Sequence, residues 1–502
     1  MKACLIFQRR FTPVAHKIAK ELKRKYGIKE FCGYVYLRTG YDFLKKQKDI
    51  NYSALILDEE IQKQYKNTKI DWGDLNKIEK EYGIPYLWPF LSVDRIIRYG
   101  MGIREYPYDT PPYSHEEMAV MLQLTAKTII DFLDAEKPDF IFLPTVSAMG
   151  NFLIYHIAKK KGIKVLVGAE TRIGQGYILS QDYKNFSYAE ELFKKQYQKT
   201  DAVGPKQITE AKKYISEFRN KPEPYLYVMG SLKNSGRWQN IVRIFNPVRI
   251  FLSIKWLGTL FVRNMFVKKQ KDYTDESILA FTIDRVKRKI RTLWGFSDLW
   301  EKYNEKENFA YYALHFEPEL AILALAPYWT DQLNLIKQIS QSLPISFKLY
   351  VKEHPAMIGF RPRQYYKELK KIPNVKLIHP NFDSYRIIKD SKIVYTITGT
   401  AGWEALMFKK PVITFGDVFY NALSMSKKCL EVAQLPYMTK QMLENFKYDE
   451  IELEYFISAL MEESAEIKLH EIWEKGIEPK TEVEKISLFC DLLADKLNLK
   501  PL

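Results

Sequence analysis

Three segments of the sequence decide the fold: K-L-Y-V-K-E-H-P at 348–355, I-V-Y-T-I-T-G-T-A-G-W-E-A-L at 393–406 and P-V-I-T-F-G-D at 411–417. Each begins with a short apolar run, typical of a buried strand in a parallel sheet, and continues with polar or glycine residues. Ligands of open α/β sheets bind outside the carboxyl ends of the strands. The polar residues of these segments, including Lys352-Glu353-His354-Pro355, are therefore expected to line one crevice.

The middle segment is the most informative of the three. Thr398-Gly399-Thr400 predicts a tight turn, and Ala401–Met407 predicts a helix after it. Gly399 can adopt a positive φ, and Thr400 is a candidate N-cap. The N-terminus of such a helix binds anions, and phosphate suits it best. Glu404 is expected to lean back and accept hydrogen bonds from sugar or ribose hydroxyls, although an ordinary strand–turn–helix explains the same residues equally well.

Composition bounds the class of protein. The chain has 502 residues, 46% of them hydrophobic, which predicts two or more domains. Its four cysteines show no metal-ligand spacing, no Asp-x-Asp motif follows a strand, and no signal-peptide pattern opens the sequence. We therefore expect a cytoplasmic protein with no disulfide framework and no essential metal. The net charge of +16 suits an anionic substrate or membrane surface, and without a recognition motif it does not predict a nucleic-acid partner.

The first half of the chain shows a strand–helix alternation, which predicts a parallel sheet with right-handed crossovers. The predicted strands lie at 3–7, 31–37, 140–143 and 165–167, the predicted helices at 13–26, 116–136 and 148–161, and the range 41–115 predicts helices and loops. Ser147, Glu170 and Arg172 follow predicted strands and are candidate cleft residues. Glu170 and Arg172 could equally form a structural salt bridge.

A basic segment interrupts this alternation at about residues 231–305. Between Arg237 and Arg291 there are 13 Lys and Arg against 4 Asp and Glu, a net charge of +9. Apolar residues interleaved with basic ones are typical of an interfacial helix that binds an anionic membrane. Packed core helices with solvated basic faces, or a site for an anionic acceptor, explain the same pattern.

The α/β alternation returns after this segment, so the sequence predicts two lobes with a helical insertion between them. The predicted domains are a first Rossmann-like lobe for the acceptor (1–230), the basic insertion (231–305), a second Rossmann-like lobe for the donor (306–465) and C-terminal helices that pack back on the first lobe (466–502).

Five motifs together resemble the capsule polysaccharide biosynthesis family, which includes the Kdo transferases of bacterial capsule assembly. They are Y-A-L-H-F-E-P-E at 312–319, D-Q-L-N-L-I-K-Q-I at 331–339, V-K-E-H-P at 351–355, T-I-T-G-T-A-G-W-E-A-L at 396–406 and K-P-V-I-T-F-G-D-V-F-Y at 410–420. The resemblance implies a GT-B fold, with two Rossmann-like lobes across a central cleft. It implies no cofactor but a nucleotide-sugar co-substrate, with CMP-Kdo or a related CMP-linked acid sugar as the first expectation, and a glycan or glycolipid acceptor.

The resemblance also assigns roles to residues of the second lobe. It implies that His354 and the Thr398-Gly399-Thr400 turn meet the donor phosphate. Lys352 is expected to add positive charge there. His315 is a second candidate at the cleft edge, with Glu317 and Glu319 as ribose or base contacts. Related polyol-phosphate transferases share the His-Pro motif but carry a different turn.

The resemblance further implies a carboxylate from the first lobe, acting as base or as covalent nucleophile. Glu170 is the first candidate, because it follows a strand end directly, and Asp182 the second; Arg172 and Ser147 are candidate acceptor contacts. Two other functions stay open. A nucleotide-sugar epimerase of the same architecture would alter its donor with no acceptor present. A non-catalytic partner in polysaccharide assembly or export would not need a complete phosphate site.

Overall fold

The computed structural model describes residues 1–100, 111–198, 204–222, 246–266, 278–467, 472 and 479–502. Within these residues the chain forms two α/β lobes, each around its own, largely parallel sheet. The predicted class, two Rossmann-like lobes facing each other across a cleft, is confirmed, and it is the arrangement expected of a GT-B protein.

In the described part of the chain, the first sheet has the strand order β13-β6-β5-β4-β1-β2-β3. Its strands are β1 (Lys2–Phe7), β2 (Glu30–Val35), β3 (Tyr52–Leu57), β4 (Phe140–Leu143), β5 (Lys164–Glu170), β6 (Gly176–Ser180) and β13 (Ser464–Glu466). Strands β1 to β5 are parallel, and β6 runs antiparallel to both its neighbours. The four predicted strands of this lobe are present. The expectation of only helices and loops between residues 41 and 115 is wrong, because β3 lies there.

The helices of the first half have ends that the local sequence explains. They are α1 (Thr12–Tyr26), α2 (Arg38–Lys45), α3 (Asp58–Lys63), α4 (Trp72–Tyr82), α5 (Trp88–Val93), α6 (Arg95–Tyr99), α7 (His115–Glu136), α8 (Met149–Lys160), α9 (Ser187–Tyr197) and α10 (Ile208–Asn220). Helix α1 has Pro13 in its first turn and ends at Gly27, whose φ is 68°. Ser114 and Glu117 form a capping box at the start of α7. Short 3₁₀ helices span Arg9–Phe11 and Gln64–Asn67.

The described strands of the second sheet are all parallel, in the order β12-β11-β10-β7-β8-β9. They are β7 (Phe309–Ala313), β8 (Lys348–Lys352), β9 (Val375–Ile378), β10 (Ile393–Thr396), β11 (Val412–Thr414) and β12 (Ser426–Lys428). The three apolar runs that open the deciding segments are strands β8, β10 and β11. Their carboxyl ends therefore meet at one edge, as predicted.

The remaining helices complete the second lobe and the connections around it. They are α11 (Pro247–Phe266), α12 (Ile278–Trp294), α13 (Leu320–Leu323), α14 (Gln332–Gln341), α15 (Arg363–Lys370), α16 (Ser384–Asp390), α17 (Thr400–Met407), α18 (Leu435–Glu444), α19 (Glu450–Glu462) and α20 (Pro479–Leu497), with 3₁₀ helices at Pro355–Met357, Phe419–Ala422 and Val432–Gln434. None of the described helices is long and apolar enough to cross a membrane.

Packing places two of the predicted domain boundaries differently. Helices α9 and α10 pack on α19 and α17, and their apolar residues share one core with the second lobe. The first lobe was predicted to extend to residue 230. From about Phe186 onwards the chain packs into the core of the second lobe, so the first lobe ends there. The insertion, predicted to end at residue 305, ends near Gly295, because Phe296 and Leu299 are buried in the second core. Of its predicted range, 231–245 and 267–277 lie outside the described residues.

The C-terminal helix α20 packs on α1, a helix of the first lobe.

Candidate active site

The His-Pro segment lies at the carboxyl end of β8. His354 is partly buried, and its Nδ1 accepts a hydrogen bond from the Ala356 amide at 3.3 Å, at the start of the 3₁₀ helix that Pro355 opens. A ring nitrogen that accepts from an amide carries no proton, so the proton of the neutral ring lies on Nε2. Burial lowers the pKa of His354, which keeps the ring neutral at pH 7. His354 therefore offers one N–H donor, suited to a phosphate oxygen.

The turn after β10 is held from behind by His315. The Thr398 amide donates to His315 Nε2 at 3.2 Å, and the Gly399 amide donates to Thr396 Oγ1 at 2.9 Å. His315 is 7% exposed, and burial lowers its pKa to about 3, so its ring is a neutral acceptor. We predicted His315 as a donor contact; the structure instead makes it a support that orients the turn.

Gly399 and Thr400 do not play the local roles predicted for them. The φ of Gly399 is −76°, and helix α17 begins at Thr400 with Gly399 in the N-cap position. Glycine is needed there for space, because a Cβ would lie 2.7 Å from Thr396 Oγ1 and 3.0 Å from His315 Nε2. A glycine N-cap supplies no side chain to the first-turn N–H groups of the helix, which are the groups that bind anions.

Lys352 and Glu404 interact electrostatically within the second lobe. Lys352 is 6% exposed, and its Nζ donates to Ser384 Oγ at 2.7 Å. Burial lowers the pKa of Lys352 to about 8. Burial also raises the pKa of Glu404 to about 8, against the opposing effects of Lys352 and of a hydrogen bond from Thr400. The two groups therefore change charge near the same pH. Lys352 ends β8, and Glu404 lies in α17, the helix that follows the turn.

Two of the predicted donor contacts are instead part of a buried ion cluster. Arg361 is fully buried, donating to both oxygens of Glu353 at 2.6 and 2.7 Å and to Glu317 at 2.7 Å. Tyr366 also donates to Glu353, and Arg361 reaches the carbonyl of His315 at 2.8 Å. These contacts take up the carboxylates of Glu353 and Glu317, which corrects their assignment as ligand contacts. They brace the segments that carry His354 and His315.

The facing edge of the first lobe is charged. Glu170 ends β5, and Arg172 Nη1 lies 3.5 Å from Glu170 Oε2, so the salt bridge considered from the sequence is present. Arg172 also interacts electrostatically with Glu319 of the second lobe. Its φ is 65°, an uncommon conformation for a residue with a side chain. The predicted residues Glu170, Arg172 and Glu319 are thus brought together across the cleft.

Strand register separates the two candidate carboxylates of the first lobe. Strand β6 runs antiparallel to β5, pairing Tyr177 with Glu170 and Ser180 with Val167. Asp182 follows Ser180 and so lies towards the amino end of β5, away from Glu170. Of the two, Glu170 is the one at the ligand edge of the sheet.

A cavity of about 270 Å³ lies between the lobes. Its lining includes Ser147, predicted as a cleft residue, and Glu319, together with Arg9 and Arg95, which the sequence analysis missed. Arg9 lies two residues after the end of β1, and its φ is 38°. A charged residue shortly after the first strand was the signal in the sequence. The volume is below the 300–1,000 Å³ usual for drug-sized ligands, so it suits a single sugar residue.

Among the described residues, no group of three or more His, Cys, Asp and Glu is arranged to hold a metal ion. The expectation of metal-independent chemistry stays a prediction.

Comparison with known families identifies part of the second lobe. Residues 297–433 match the family described as capsule polysaccharide biosynthesis protein, and this range contains all six described strands of the second sheet. The resemblance drawn from the sequence is confirmed over these residues. FixF of Sinorhizobium fredii (strain NBRC 101917 / NGR234) is 40% identical over 75 residues, which are 14% of this chain and 16% of FixF. The chain thus spans about one sixth of that relative.

Solved structures similar to the chain include two transferases and an epimerase. The beta Kdo 2,7 transferase of Thermosulfurimonas dismutans KpsC has a TM-score of 0.35 and 13% identity, covering 66% of this chain and 80% of that one. Its beta Kdo 2,4 transferase has a TM-score of 0.34 and 13% identity, covering 64% and 80%. UDP-GlcNAc 2-epimerase from Neisseria meningitidis has a TM-score of 0.23 and 14% identity, covering 99% and 100%. All three TM-scores are below 0.5, so they add no conclusion about this chain.

Proposed function

We propose, on the premise that residues 297–433 match the capsule polysaccharide biosynthesis family, that this protein is a GT-B glycosyltransferase. It transfers a sugar from a nucleotide donor bound at the second lobe to a surface glycan or glycolipid acceptor bound at the first lobe. The observation that carries the proposal is the cleft itself. The matched residues include a turn at a helix N-terminus, suited to bind phosphate, and the neutral imidazole of His354. A carboxylate–guanidinium pair at the facing edge interacts electrostatically with the second lobe.

The donor site is suited to a departing nucleotide. As the bond between sugar and phosphate breaks, the phosphate gains negative charge. The first-turn amides of α17 and the Nε2–H of His354 are fixed donors that stabilise this charge without reorganisation. Lys352, protonated below about pH 8, adds a positive charge behind the turn. From the resemblance, the first donor to test is a CMP-linked acid sugar such as CMP-Kdo.

The acceptor site is proposed in the cavity of about 270 Å³. Its lining residue Glu319 interacts electrostatically with Arg172, the salt-bridge partner of Glu170. Ser147, Arg9 and Arg95 supply polar and cationic contacts for one sugar of the acceptor. Glu170 acts on the reacting centre, either taking the proton of the acceptor hydroxyl or attacking the sugar to form a covalent intermediate. Arg172 Nη1 lies 3.5 Å from the Glu170 carboxylate and forms a salt bridge with it. We place the protein in the cytoplasm, peripheral on the inner face of the membrane.

A donor-binding experiment tests this proposal most economically. Titration calorimetry with CMP-, CDP-, UDP- and GDP-sugars is expected to show saturable binding of one nucleotide class. His354→Ala is expected to weaken that binding. Incubating the protein with the donor, and with no acceptor, then distinguishes transfer from epimerisation. A transferase leaves the configuration of the donor sugar unchanged under these conditions, whereas an epimerase inverts one of its stereocentres. Conversion of the donor to an epimer, with no acceptor present, would contradict the proposal.

A further inference from the structure

Helix α12 carries an exposed apolar stripe. Five large apolar side chains recur at intervals of four, three, four and four residues, and with about 3.6 residues per turn they lie on one side of the helix. They are between 38% and 72% exposed: Leu279, Ile283, Val286, Ile290 and Trp294. A stripe of this kind normally faces a core, yet here it faces solvent. Contiguous exposed apolar surface marks an interaction site.

Helix α11, the other described helix of the insertion, adds to this surface. Eight of its large apolar side chains are exposed: Val248, Ile250, Phe251, Leu252, Ile254, Trp256, Phe261 and Val262. Their positions cover most of the circumference of the helix, so α11 makes little contact with the rest of the described protein. We call the exposed apolar and basic residues of α11 and α12 the docking surface.

The charge of the docking surface indicates what covers it. Helix α11 contains three basic residues and no acidic one. Helix α12 contains five basic residues and one acidic residue, Asp284, which pairs with Arg288. Lys287 and Lys289 lie on opposite sides of the apolar stripe. An apolar face flanked by Lys and Arg is what an anionic membrane interface binds. A second copy of the chain fits less well, because two surfaces of the same positive charge repel each other.

We propose that the docking surface binds an anionic phospholipid bilayer, with the apolar stripe in the interface and the basic residues against the headgroups. This deepens the membrane location given in the proposed function, but lipid binding itself does not depend on transferase activity.

The attachment of α12 explains what such binding would accomplish. Arg291 Nη1 donates to the carbonyl of Phe360 at 2.6 Å, and Arg363 donates to the carbonyl of Gly295. The Arg288 guanidinium lies 4.4 Å from the centre of the Phe360 ring. Phe360 precedes Arg361, the residue that braces the His354 segment. A membrane-bound α12 therefore holds the donor lobe, and the cleft beside it, close to the bilayer where a lipid-linked acceptor lies.

Vesicle co-sedimentation of the full chain tests the inference, with no donor or acceptor present. Phosphatidylcholine vesicles are compared with vesicles that also contain phosphatidylglycerol, at low and high salt. We expect binding only to the anionic vesicles, and weaker binding at high salt. Replacing Lys255 and Lys289 by Gln should reduce the partition coefficient about thirty-fold. Replacing Leu279, Val286 and Ile290 by Ser should reduce it at least about a hundredfold.

Matched controls use apolar side chains that are equally exposed elsewhere on the second lobe. Tyr328 is 82% exposed and Ile345 is fully exposed, and Tyr328→Ser with Ile345→Ser should bind vesicles like the wild type. The inference is overturned if the wild type ignores anionic vesicles at low salt, or if the control loses as much binding as the stripe variant. Self-association seen by light scattering, and lost in the stripe variant, would also overturn it by assigning the surface to a second copy. Vesicle binding is measured without turnover. If no transferase activity is found, the result of the vesicle experiment therefore still holds.

Discussion

The two edges of the cleft are built alike, from the carboxyl ends of parallel strands, but they are held in different ways. In the second lobe, neutral buried groups fix the turn: His315 and Thr396 accept its amide hydrogens, and Tyr420 donates to the Gly399 carbonyl at 2.6 Å. In the first lobe, the edge is held by the partly exposed charges of Glu170 and Arg172. Arg9 and Arg172 both have positive φ angles there.

This difference suggests a division of labour. Buried hydrogen bonds keep one geometry whether or not a ligand is bound, which suits stabilisation of a leaving phosphate. Partly exposed charges can exchange partners, which suits binding and activating different acceptors. Strained backbone at the first-lobe edge is a further sign of a functional site, since such conformations cost about 1–3 kcal/mol each. Three substitutions and one pH dependence test this contrast.

The largest effect is expected from Glu170→Gln at the charged edge. Removal of a general base or nucleophile should lower kcat by about 10²–10⁴-fold. Donor affinity, measured by calorimetry, should stay unchanged because the donor binds the other lobe. Asp182→Asn is the matched control, expected to turn over like the wild type. Normal turnover in Glu170→Gln would remove Glu170 from the mechanism.

Arg361→Met tests whether the stability of the second lobe depends on the buried ion pairs of Arg361 with Glu353 and Glu317. The variant leaves Glu353 and Glu317 without their partner, which should cost about 3–5 kcal/mol in the free energy of unfolding. Urea denaturation measures this. Arg386, whose ion pair with Glu305 is exposed, provides the control: Arg386→Met should leave the denaturation midpoint near the wild-type value. Equal midpoints for the two variants would show that the cluster does not brace this lobe.

His354→Ala removes one donor from the second edge, together with the acceptor of the Ala356 amide and a ring contact with Phe316. Loss of one preorganised donor should lower kcat by about 10²–10³-fold. His379→Ala changes an exposed histidine of the same lobe and serves as the control in the same transfer assay. A His354→Ala enzyme as active as the control would show that the imidazole takes no part in the reaction.

The smallest effect is a pH dependence of donor affinity. Below about pH 8, Lys352 is charged and Glu404 is neutral; above it, Lys352 loses its proton and Glu404 becomes an anion. Both changes disfavour a bound phosphate, so the donor Kd should rise about tenfold between pH 7 and pH 9. The Lys352→Met, Glu404→Gln double variant should show a flat profile over this range. An unchanged slope in that variant would place the titrating groups elsewhere.

Much of the second lobe could be predicted from the sequence. Apolar runs mark β8, β10 and β11 to within two residues, since a strand buried on both faces must be apolar throughout. The convergence of His354, the turn and Glu404 follows from that topology alone. On the first edge, the position of Glu170 at the carboxyl end of a predicted strand was likewise enough to make it a candidate.

Other features depend on pairings that a single sequence does not reveal. Arg361 joins Glu353 and Glu317, which are 8 and 44 residues away, and no local pattern marks a clamp of this kind. His315 lies in a motif that resembles a binding site, but only the packing shows that its ring supports the turn. The amphipathic pattern of α10 shows that one face is buried but not which lobe covers it.

A structure of the full protein with a bound nucleotide-sugar tests the central claim most directly. We expect a phosphate oxygen within hydrogen-bond distance of the Thr400 or Ala401 amide and of His354 Nε2, with the sugar directed towards Glu170. A donor bound in another place, with the turn at Thr398–Thr400 closed to it, would contradict the proposed donor site.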